Sequence, residues 1–364
     1  MNKDNVGFLL LLAFLLLLVS GISRAGDDEC KMVGEFGFVC GPMGAEDLVR
    51  VPETKWIIAS GFTQGAPISL IDSKLKSWAE LYPGTRPRAE QNMEIYGACP
   101  GSPDPNNFIS HGLNLRAGKN GHSTLYVVSH GGREAIEVFD VDASGVQPVL
   151  TWIGCVLTPE AMVANSVSSF SDGSLVATIP LQTGRTITEA LAGELTGGVY
   201  QWSPGDSGFE IIQGTELPYA NGIEVSGDEQ EIYVAVSGGF NVIAYSRTNP
   251  ARQLRATQPL AFIPDNLHMG SDGRLITAGL VIRDPVCGNL DGREEFNLEE
   301  FASCPRPFIV RAIDPQTMEG SNLVESATIQ QFSNITMGLE VDDEIWIGTF
   351  ASDRIAYRSL KTPD

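Results

Sequence analysis

Six short apolar strands recur along the chain, and a cluster of turn-forming residues introduces each of them. They begin at about residues 56, 125, 175, 232, 275 and 345. A second strand with alternating β-branched and aromatic residues follows each, as at 198–202 and 241–245. Such units are small antiparallel meanders, and their irregular spacing is typical of propeller blades rather than of helical solenoids. The sequence therefore predicts an all-β fold, a six-bladed β-propeller of four-stranded antiparallel blades around a central tunnel.

Five of the six units carry a polar pair at a similar distance before the apolar strand. The pairs are Glu46-Asp47, His111-Gly112, Asn165-Ser166, Asn221-Gly222 and Asp265-Asn266, and the sixth unit has Thr336 instead. Asn, Asp and Gly are ordinary turn residues, but ordinary turns would also contribute Ser, Lys and Pro here. Because the entrances of the innermost strands meet around the axis of a propeller, the matching phase predicts one shared site.

The oxygen donors of these pairs indicate which metal the site would accept. Two are carboxylates, of Glu46 and Asp265, and three are neutral amides, of Asn165, Asn221 and Asn266. Calcium takes about six to eight hard oxygen ligands, with water or substrate completing the shell. Zinc prefers nitrogen and sulfur donors and is a poor fit. We therefore predict a calcium site.

Several motifs resemble, in order along the chain, those of the paraoxonase/arylesterase family, which is part of a wider group of gluconolactonase-like and strictosidine-synthase-like six-bladed propellers. The motifs are Gly44-Ala45-Glu46-Asp47-Leu48, His111-Gly112-Leu113, Leu125-Tyr126-Val127-Val128-Ser129-His130, Ala220-Asn221-Gly222-Ile223 and Asp265-Asn266-Leu267. Between the motifs the resemblance is loose. It implies that the calcium ligands at the tunnel floor are Glu46, Asn165, Asn221, Asp265 and Asn266. It also implies that the imidazoles of His111 and His130 form a general-base dyad.

The same resemblance implies a second, structural calcium. Its ligands would be Asp47, the backbone carbonyl of Leu113 and an aspartate at the position that Ser166 occupies here. A serine hydroxyl brings no charge and coordinates calcium weakly. We therefore expect a second site that has low affinity or is filled differently.

The chain contains four histidines, and their positions differ in what they indicate. His111 opens a strand and His130 ends the next one, so antiparallel pairing would bring the two rings together. His122 lies in a polar loop and is expected to be solvated. His268 follows the Asp265-Asn266 pair, and we expect a structural histidine more than a substrate contact.

The resemblance and the site chemistry together imply a secreted calcium-dependent hydrolase of lactones or aryl esters. Calcium would polarise the carbonyl, and the dyad of His111 and His130 would activate water, with Asp265 as the competing base. A serine hydrolase is disfavoured because the sequence has no Gly-x-Ser-x-Gly motif. Two alternatives remain open: a sugar-lactone hydrolase of the gluconolactonase type, or a non-catalytic, metal-stabilised propeller that binds a partner.

The beginning of the chain is typical of an exported protein. Lys3 precedes an apolar run at 8–19, and Ser23-Arg24-Ala25 resembles a signal cleavage site. Twelve apolar residues are too few to span a bilayer, which needs about 20. We predict a signal peptide at 1–25 and a single propeller domain at 26–364, secreted or periplasmic and without an integral membrane span. Related propellers can keep such a segment as an anchor.

Cysteine content agrees with export, because an even number of cysteines suits disulfides. The six allow 15 pairings, among which sequence alone cannot choose. Proximity suggests Cys30 with Cys40, Cys287 with Cys304, and Cys99 with Cys155. This pairing departs from the bridge between first and last blades that the resemblance implies.

The charge balance limits the partners. A formal net charge of −21 argues against binding to nucleic acid or to anionic membrane surfaces, and it would attract cations. We expect a small-molecule ester or lactone as the partner, and the oligomeric state stays open. Two segments resemble insertions: a loop at 101–107 over the active-site face, and a solvated acidic loop at 284–304 in the fifth blade.

Overall fold

The structure is a computed structural model that describes residues 30–361. The predicted signal peptide lies outside the described residues. The described chain forms six antiparallel sheets arranged as the six blades of a propeller, with only three short helices. The predicted fold class is confirmed.

The first strand, β1 (Gly37–Cys40), belongs to the last blade. Blade 1 contains β2 (Leu48–Arg50), β3 (Trp56–Ala59), β4 (Ile68–Asp72) and β5 (Ser77–Tyr82). Blade 2 contains a short strand, β6 (Arg88–Ala89), and then β7 (Phe108–Ala117), β8 (His122–Gly131), β9 (Ala135–Asp142) and β10 (Val149–Leu157). Blade 3 contains β11 (Val167–Ser169), β12 (Leu175–Ile179), β13 (Gly198–Trp202) and β14 (Glu210–Ile211).

Blade 4 contains β15 (Ala220–Val225), β16 (Glu231–Val236), β17 (Asn241–Ser246) and β18 (Gln253–Ala256). Blade 5 contains β19 (Leu267–Met269) and β20 (Leu275–Leu280), then a separate two-stranded sheet of β21 (Arg283–Asp284) and β22 (Gly288–Asn289), then β23 (Phe308–Ile313) and β24 (Gly320–Ser326). Blade 6 contains β25 (Ile335–Val341), β26 (Glu344–Thr349) and β27 (Arg354–Ser359).

Two features depart from a uniform set of four-stranded blades. In blade 2, β6 pairs parallel to β10 and makes a fifth strand. In blade 6, the outermost strand is β1, which pairs antiparallel to β27 and so joins the beginning of the described chain to its end. Because both ends share one sheet, the ring of blades is closed by backbone hydrogen bonds.

The three helices are α1 (Met93–Tyr96), α2 (Ile187–Leu191) and α3 (Leu298–Ser303). Thr186 and Glu189 form a reciprocal capping box at the start of α2. The side chain of Asn297 caps α3 by accepting a hydrogen bond from the Glu300 N–H. α2 lies between β12 and β13, and α3 lies between β22 and β23, so both are insertions between the second and third strands of a blade. No helix within residues 30–361 is long and apolar enough to cross a bilayer.

The second strands of the blades begin at or within a few residues of the positions predicted from the sequence. Their side chains are buried on both faces because each blade packs between two others. β3 and β12 are buried along their whole length. Burial on both faces explains why the sequences of these strands are almost continuously apolar, without an alternation of apolar and polar residues.

The three disulfides predicted from proximity are those that the structure contains. They join Cys30 to Cys40, Cys99 to Cys155, and Cys287 to Cys304. The last closes the insertion that carries α3. Three disulfides are typical of a protein that matures in an oxidising compartment.

The glycines of two polar pairs are required by close packing at the axis. A Cβ atom on Gly112 would lie 2.5 Å from the carbonyl oxygen of Asn165, and one on Gly222 would lie 2.5 Å from the carbonyl oxygen of Asp265. Each contact is with the backbone of the next blade. Only glycine allows the innermost strands to approach this closely.

We expect Gly222→Ala to lower the free energy of unfolding by about 1–3 kcal/mol, because the added methyl group forces two blades apart. Gly227→Ala in the same blade is the matched control, since a Cβ there meets no atom within 4 Å. Urea unfolding of both variants in the presence of a chelator measures the effect without a contribution from calcium. Equal midpoints would contradict the packing argument.

Candidate metal centre and catalytic cavity

Hydrogen bonds around the axis bring the polar pairs together. The Thr336 hydroxyl donates to the carbonyl of Glu46 at 2.6 Å, and the N–H of Asn266 donates to the carbonyl of Thr336 at 3.0 Å. The N–H of Gly222 donates to the carbonyl of Asp265 at 3.1 Å. Residues far apart in sequence are thus neighbours in a ring.

Backbone irregularities direct some of these side chains inward. The β7–β8 ladder shifts register at His111-Gly112, and the β15–β16 ladder shifts at Asn221-Gly222. The β25–β26 ladder shifts at Thr336. A bulge bends its strand and re-aims a side chain, so the repeated irregularity accounts for the convergence of the polar residues.

A cavity of about 440 Å³ opens at this ring. Six of the predicted site residues line it: Glu46, His111, His130, Asn165, Asn221 and Asp265. Asn266 is not a lining residue of the cavity but belongs to the same site, because its Nδ2 atom donates to Oε1 of Glu46 at 2.7 Å. The structure therefore brings together the predicted ligands of the first calcium and the two predicted base residues.

Four of the predicted ligands keep a buried side-chain oxygen that accepts no hydrogen bond within residues 30–361. The atoms are Oε2 of Glu46 and Oδ1 of Asn165, Asn221 and Asn266. The Asn221 Nδ2 atom donates to Oγ of Ser237 at 3.0 Å, which leaves its oxygen free. Buried polar atoms are normally satisfied, so these oxygens fit a bound cation.

Charge at the cavity points to the same conclusion. Burial raises the pKa of Glu46 well above its usual range, and the charge of Asp47 raises it further. Burial and the charge of Glu46 likewise raise the pKa of Asp265. The two carboxylates repel each other, and a cation held by both would stabilise their ionised forms.

The donor set also limits which cation fits. The described residues contain no group of three or more His, Cys, Asp or Glu side chains placed to hold a metal. The set instead combines two carboxylates with three amide oxygens, which suits a hard cation such as calcium and not zinc. The residues at the cavity thus fit calcium.

The two histidine rings are in contact, as antiparallel pairing of β7 and β8 predicted. Nδ1 of His111 is 3.0 Å from Nε2 of His130, and Nδ1 of His130 is 2.6 Å from Oε2 of Glu134. An ionised carboxylate only accepts, so Nδ1 of His130 donates to Glu134. When both rings are neutral, Nε2 of His130 then accepts from Nδ1–H of His111. Nε2 of His111 is then unprotonated and available to accept a proton.

The surroundings of His111 favour its neutral form. Burial lowers the pKa of His111 well below its usual range, and a positive charge on the neighbouring His130 would lower it further. The ring of Phe62 stacks on it with 4.2 Å between ring centroids, and its Nε2 atom is 3.6 Å from Oε1 of Glu46. His111 is therefore a neutral imidazole held in place beside the candidate metal ligands.

Sequence reasoning missed Glu134 and Phe62. Glu134 lies in the turn between β8 and β9, four residues after His130. A carboxylate so close in sequence to a candidate histidine could have indicated a hydrogen bond between them. Phe62 follows the second strand of blade 1, and nothing in its sequence context indicated a ring contact.

The insertion at 284–304 differs from the expected solvated loop. Its residues Phe296, Leu298 and Phe301 line the cavity, as do Ile187 and Leu191 of α2. The N–H of Phe296 donates to the Thr188 hydroxyl at 3.0 Å, which joins the two insertions over the site. The loop was misjudged because its acidic residues are prominent in the sequence, whereas its apolar residues face inward only after folding.

The loop at 101–107 lies beside the histidine dyad. Pro103, Asp104 and Asn107 line a second cavity of about 300 Å³ together with His130. Among the other histidines, His122 is half-exposed and 3.0 Å from Oδ1 of Asp140, so it is the solvated residue that was expected.

Two of the residues expected to bind the second calcium, Asp47 and Leu113, are in contact. The contact is a hydrogen bond that the Leu113 N–H donates to the Asp47 carboxylate. Oδ2 of Asp47 accepts from the N–H of Leu113 at 2.7 Å. Nε2 of His268 is 2.7 Å from Oδ1 of Asp47. Burial alone would lower the pKa of His268, but the charge and the hydrogen bond of Asp47 raise it to about 9.

No family model matches the sequence, and no curated protein matches it. The fold is similar to that of a luciferin-regenerating enzyme, with 14% identity, 87% of this chain and 92% of that chain covered, and a TM-score of 0.51. It is also similar to a gluconolactonase from Xanthomonas campestris, with 14% identity, coverage of 90% and 89%, and a TM-score of 0.52. A putative gluconolactonase is 16% identical, with coverage of 93% and 99% and a TM-score of 0.52.

These neighbours are gluconolactonase-like six-bladed propellers. At such low identity the likeness concerns the fold, and function has to be argued from the site.

Proposed function

We propose that this protein is a calcium-dependent hydrolase of apolar esters or lactones. The observation that carries the proposal is a set of buried oxygens that accept no hydrogen bond within residues 30–361, beside a neutral histidine. Three belong to the cavity-lining residues Glu46, Asn165 and Asn221, and the fourth to Asn266, which donates to Glu46. The resemblance of the sequence motifs to the paraoxonase/arylesterase family supports the same reaction class.

Glu46, Asn165, Asn221, Asp265 and Asn266 would hold the metal. Bound calcium supplies a Lewis acid that polarises the substrate carbonyl and stabilises the negative charge that develops on its oxygen. His111 accepts the proton of the attacking water at Nε2, and His130 orients it by accepting from its Nδ1–H. Glu134 in turn holds His130 in the tautomer that this arrangement requires. Asp265 remains the competing base.

The cavity wall favours an apolar substrate. Beyond the polar residues at the ring, the wall is made largely of aliphatic and aromatic side chains: Phe62, Ile109, Val163, Leu181, Ile187, Leu191, Ile263, Phe296, Leu298, Phe301 and Phe350. Hydroxyl groups of a sugar lactone would lose hydrogen bonds to water against this surface. An aryl or alkyl group would be stabilised there by burial.

Hydrolysis of a panel of aryl esters, alkyl lactones and sugar lactones, with calcium and with excess chelator, tests the proposal. We expect calcium-dependent turnover of the aryl or alkyl members. Turnover confined to sugar lactones would favour the gluconolactonase-type alternative. If no substrate is hydrolysed and calcium only raises the melting temperature, the protein is a metal-stabilised binding module.

Leu298→Asn should raise KM for the apolar substrate roughly 3- to 10-fold with kcat nearly unchanged, because it removes apolar contact area from the cavity wall and leaves the polar residues of the site in place. Leu75→Asn is the control, since Leu75 is exposed and lies outside the cavity lining. Steady-state kinetics of both variants measures the difference. An equal change of KM in the two variants would show that α3 does not contact the substrate.

We also propose that the protein functions outside the cytosol. The three disulfides and the predicted signal peptide support secretion or export to the periplasm.

A further inference from the structure

A second acidic cluster lies outside the cavity lining and contains Asp47, Glu224 and His268. The Asp47 side chain is fully buried. Nε2 of His268 is 2.7 Å from Oδ1 of Asp47, and Nδ1 of the same ring is 3.8 Å from Oε2 of Glu224. In the part of the chain that the structure describes, no other basic side chain forms an ion pair with either carboxylate. One imidazole thus lies between two carboxylates.

Both oxygens of Asp47 already accept hydrogen bonds from the chain itself. Oδ1 accepts from the N–H of Leu48 at 2.8 Å in addition to the His268 contact. Oδ2 accepts from the N–H of Leu113 at 2.7 Å. Backbone and ring N–H groups therefore occupy three of the about four lone-pair positions of this carboxylate.

Glu224 is satisfied in the same way. Oε1 accepts from the Ser168 hydroxyl at 3.0 Å and from the N–H of Val225 at 2.8 Å. Oε2 accepts from the N–H of Met269 at 3.1 Å. The cluster thus differs from the cavity, where four ligands keep an oxygen without a donor among residues 30–361.

The remaining residue expected at a second metal ion also fits poorly. Ser166 is buried but carries no charge. Leu113 donates its N–H to Oδ2 of Asp47, so this contact uses a lone pair that a cation would need. Calcium needs several oxygen lone pairs directed at one point, and the residues around Asp47 do not provide them.

We propose that the His268 side chain replaces a second metal ion, so that the protein binds one calcium ion, at the cavity, and not two. The proposal rests on the proposed calcium site for the first ion. Buried carboxylates are stable when hydrogen bonds compensate for lost hydration, and the His268 ring and the backbone N–H groups supply these from within the chain. This part of the tunnel then stays assembled without calcium.

Counting bound calcium tests the proposal directly. Metal-stripped full-length protein is titrated with calcium chloride by calorimetry, and the bound ion is measured by equilibrium dialysis. We expect one ion per chain in the wild type, one in Asp47→Asn, and at least a 10-fold loss of affinity in Asn221→Ala. His268→Asp places a third carboxylate in the cluster and should bind a second ion.

Two bound ions in the wild type would overturn the proposal. So would a single ion that Asp47→Asn loses and Asn221→Ala keeps, because that ion would lie at the second cluster. If His268→Asp does not fold, the numbers of calcium ions bound by the wild type and by Asp47→Asn still test the proposal. One ion without hydrolysis of any substrate would refute the proposed function alone, whereas two ions with hydrolysis would refute this inference alone.

Discussion

Asn221→Ala should reduce kcat/KM for the best substrate on the order of 100-fold, the size typical for the loss of one electrostatic stabiliser. Oδ1 of Asn221 is buried and accepts no hydrogen bond within the described chain, and Ser237 holds the amide in this orientation. The substitution removes one oxygen from the ligand set and leaves the apolar wall unchanged. Steady-state kinetics together with the calcium dissociation constant measures the effect, and both should worsen.

Asn241→Ala is the matched control for this experiment. Asn241 lies in the same blade and also has a buried Oδ1 atom without a donor in residues 30–361, but it does not line the cavity. Its replacement should leave activity and calcium affinity within about twofold of wild type, as expected for a site away from the chemistry. If the two variants have the same activity, the amide oxygen of Asn221 does not serve the reaction.

His111→Gln should lower kcat by about 10²- to 10⁴-fold, the contribution typical of a general base. The calcium dissociation constant should change little, because His111 is not among the proposed ligands. His122→Gln is the control, since that ring is half-exposed and contacts the surface carboxylates of Asp140 and Asp142. Full activity of His111→Gln would assign the base to Asp265.

The pH profile of kcat gives a second measurement of the same role. An ordinary histidine titrates near pH 6.5, but burial lowers the pKa of His111 well below that value. A base works in its deprotonated form, so kcat should stay flat as the pH falls through 6.5 and decline only at lower pH. A decline centred at 6.5 would contradict a buried base.

The blades could be predicted from the sequence because each strand lies between turn residues and buries both faces. Trp56–Ala59 is apolar throughout, and Leu175–Ile179 is apolar except for the buried Thr178, which is a local property of the chain. The ligands of the first predicted calcium site could be predicted from the sequence for a related reason. Equivalent positions of repeated units meet at a propeller axis. Glu46, Asn165 and Asp265 stand at the same distance before the next apolar strand, and this equal spacing predicted that they lie close together in space.

The contacts between the two insertions over the cavity could not be predicted from the sequence pattern. Thr188 and Phe296 are 108 residues apart and belong to insertions of different blades. Their hydrogen bond depends on the relative position of blades 3 and 5, for which no periodicity gives a signal. The inward direction of the apolar residues in the second insertion follows from the same arrangement.

The sequence by itself determined the fold class and the residues at the axis, because these depend on local pattern and on the symmetry of repeats. It suggested the disulfide pairs, which the tertiary structure then established. The tertiary structure decided which oxygens stay unsatisfied, which tautomer the histidine pair holds, and that His268 faces Asp47 and Glu224. Those outcomes depend on distances of a few ångströms between side chains from different blades, and only packing in three dimensions sets such distances.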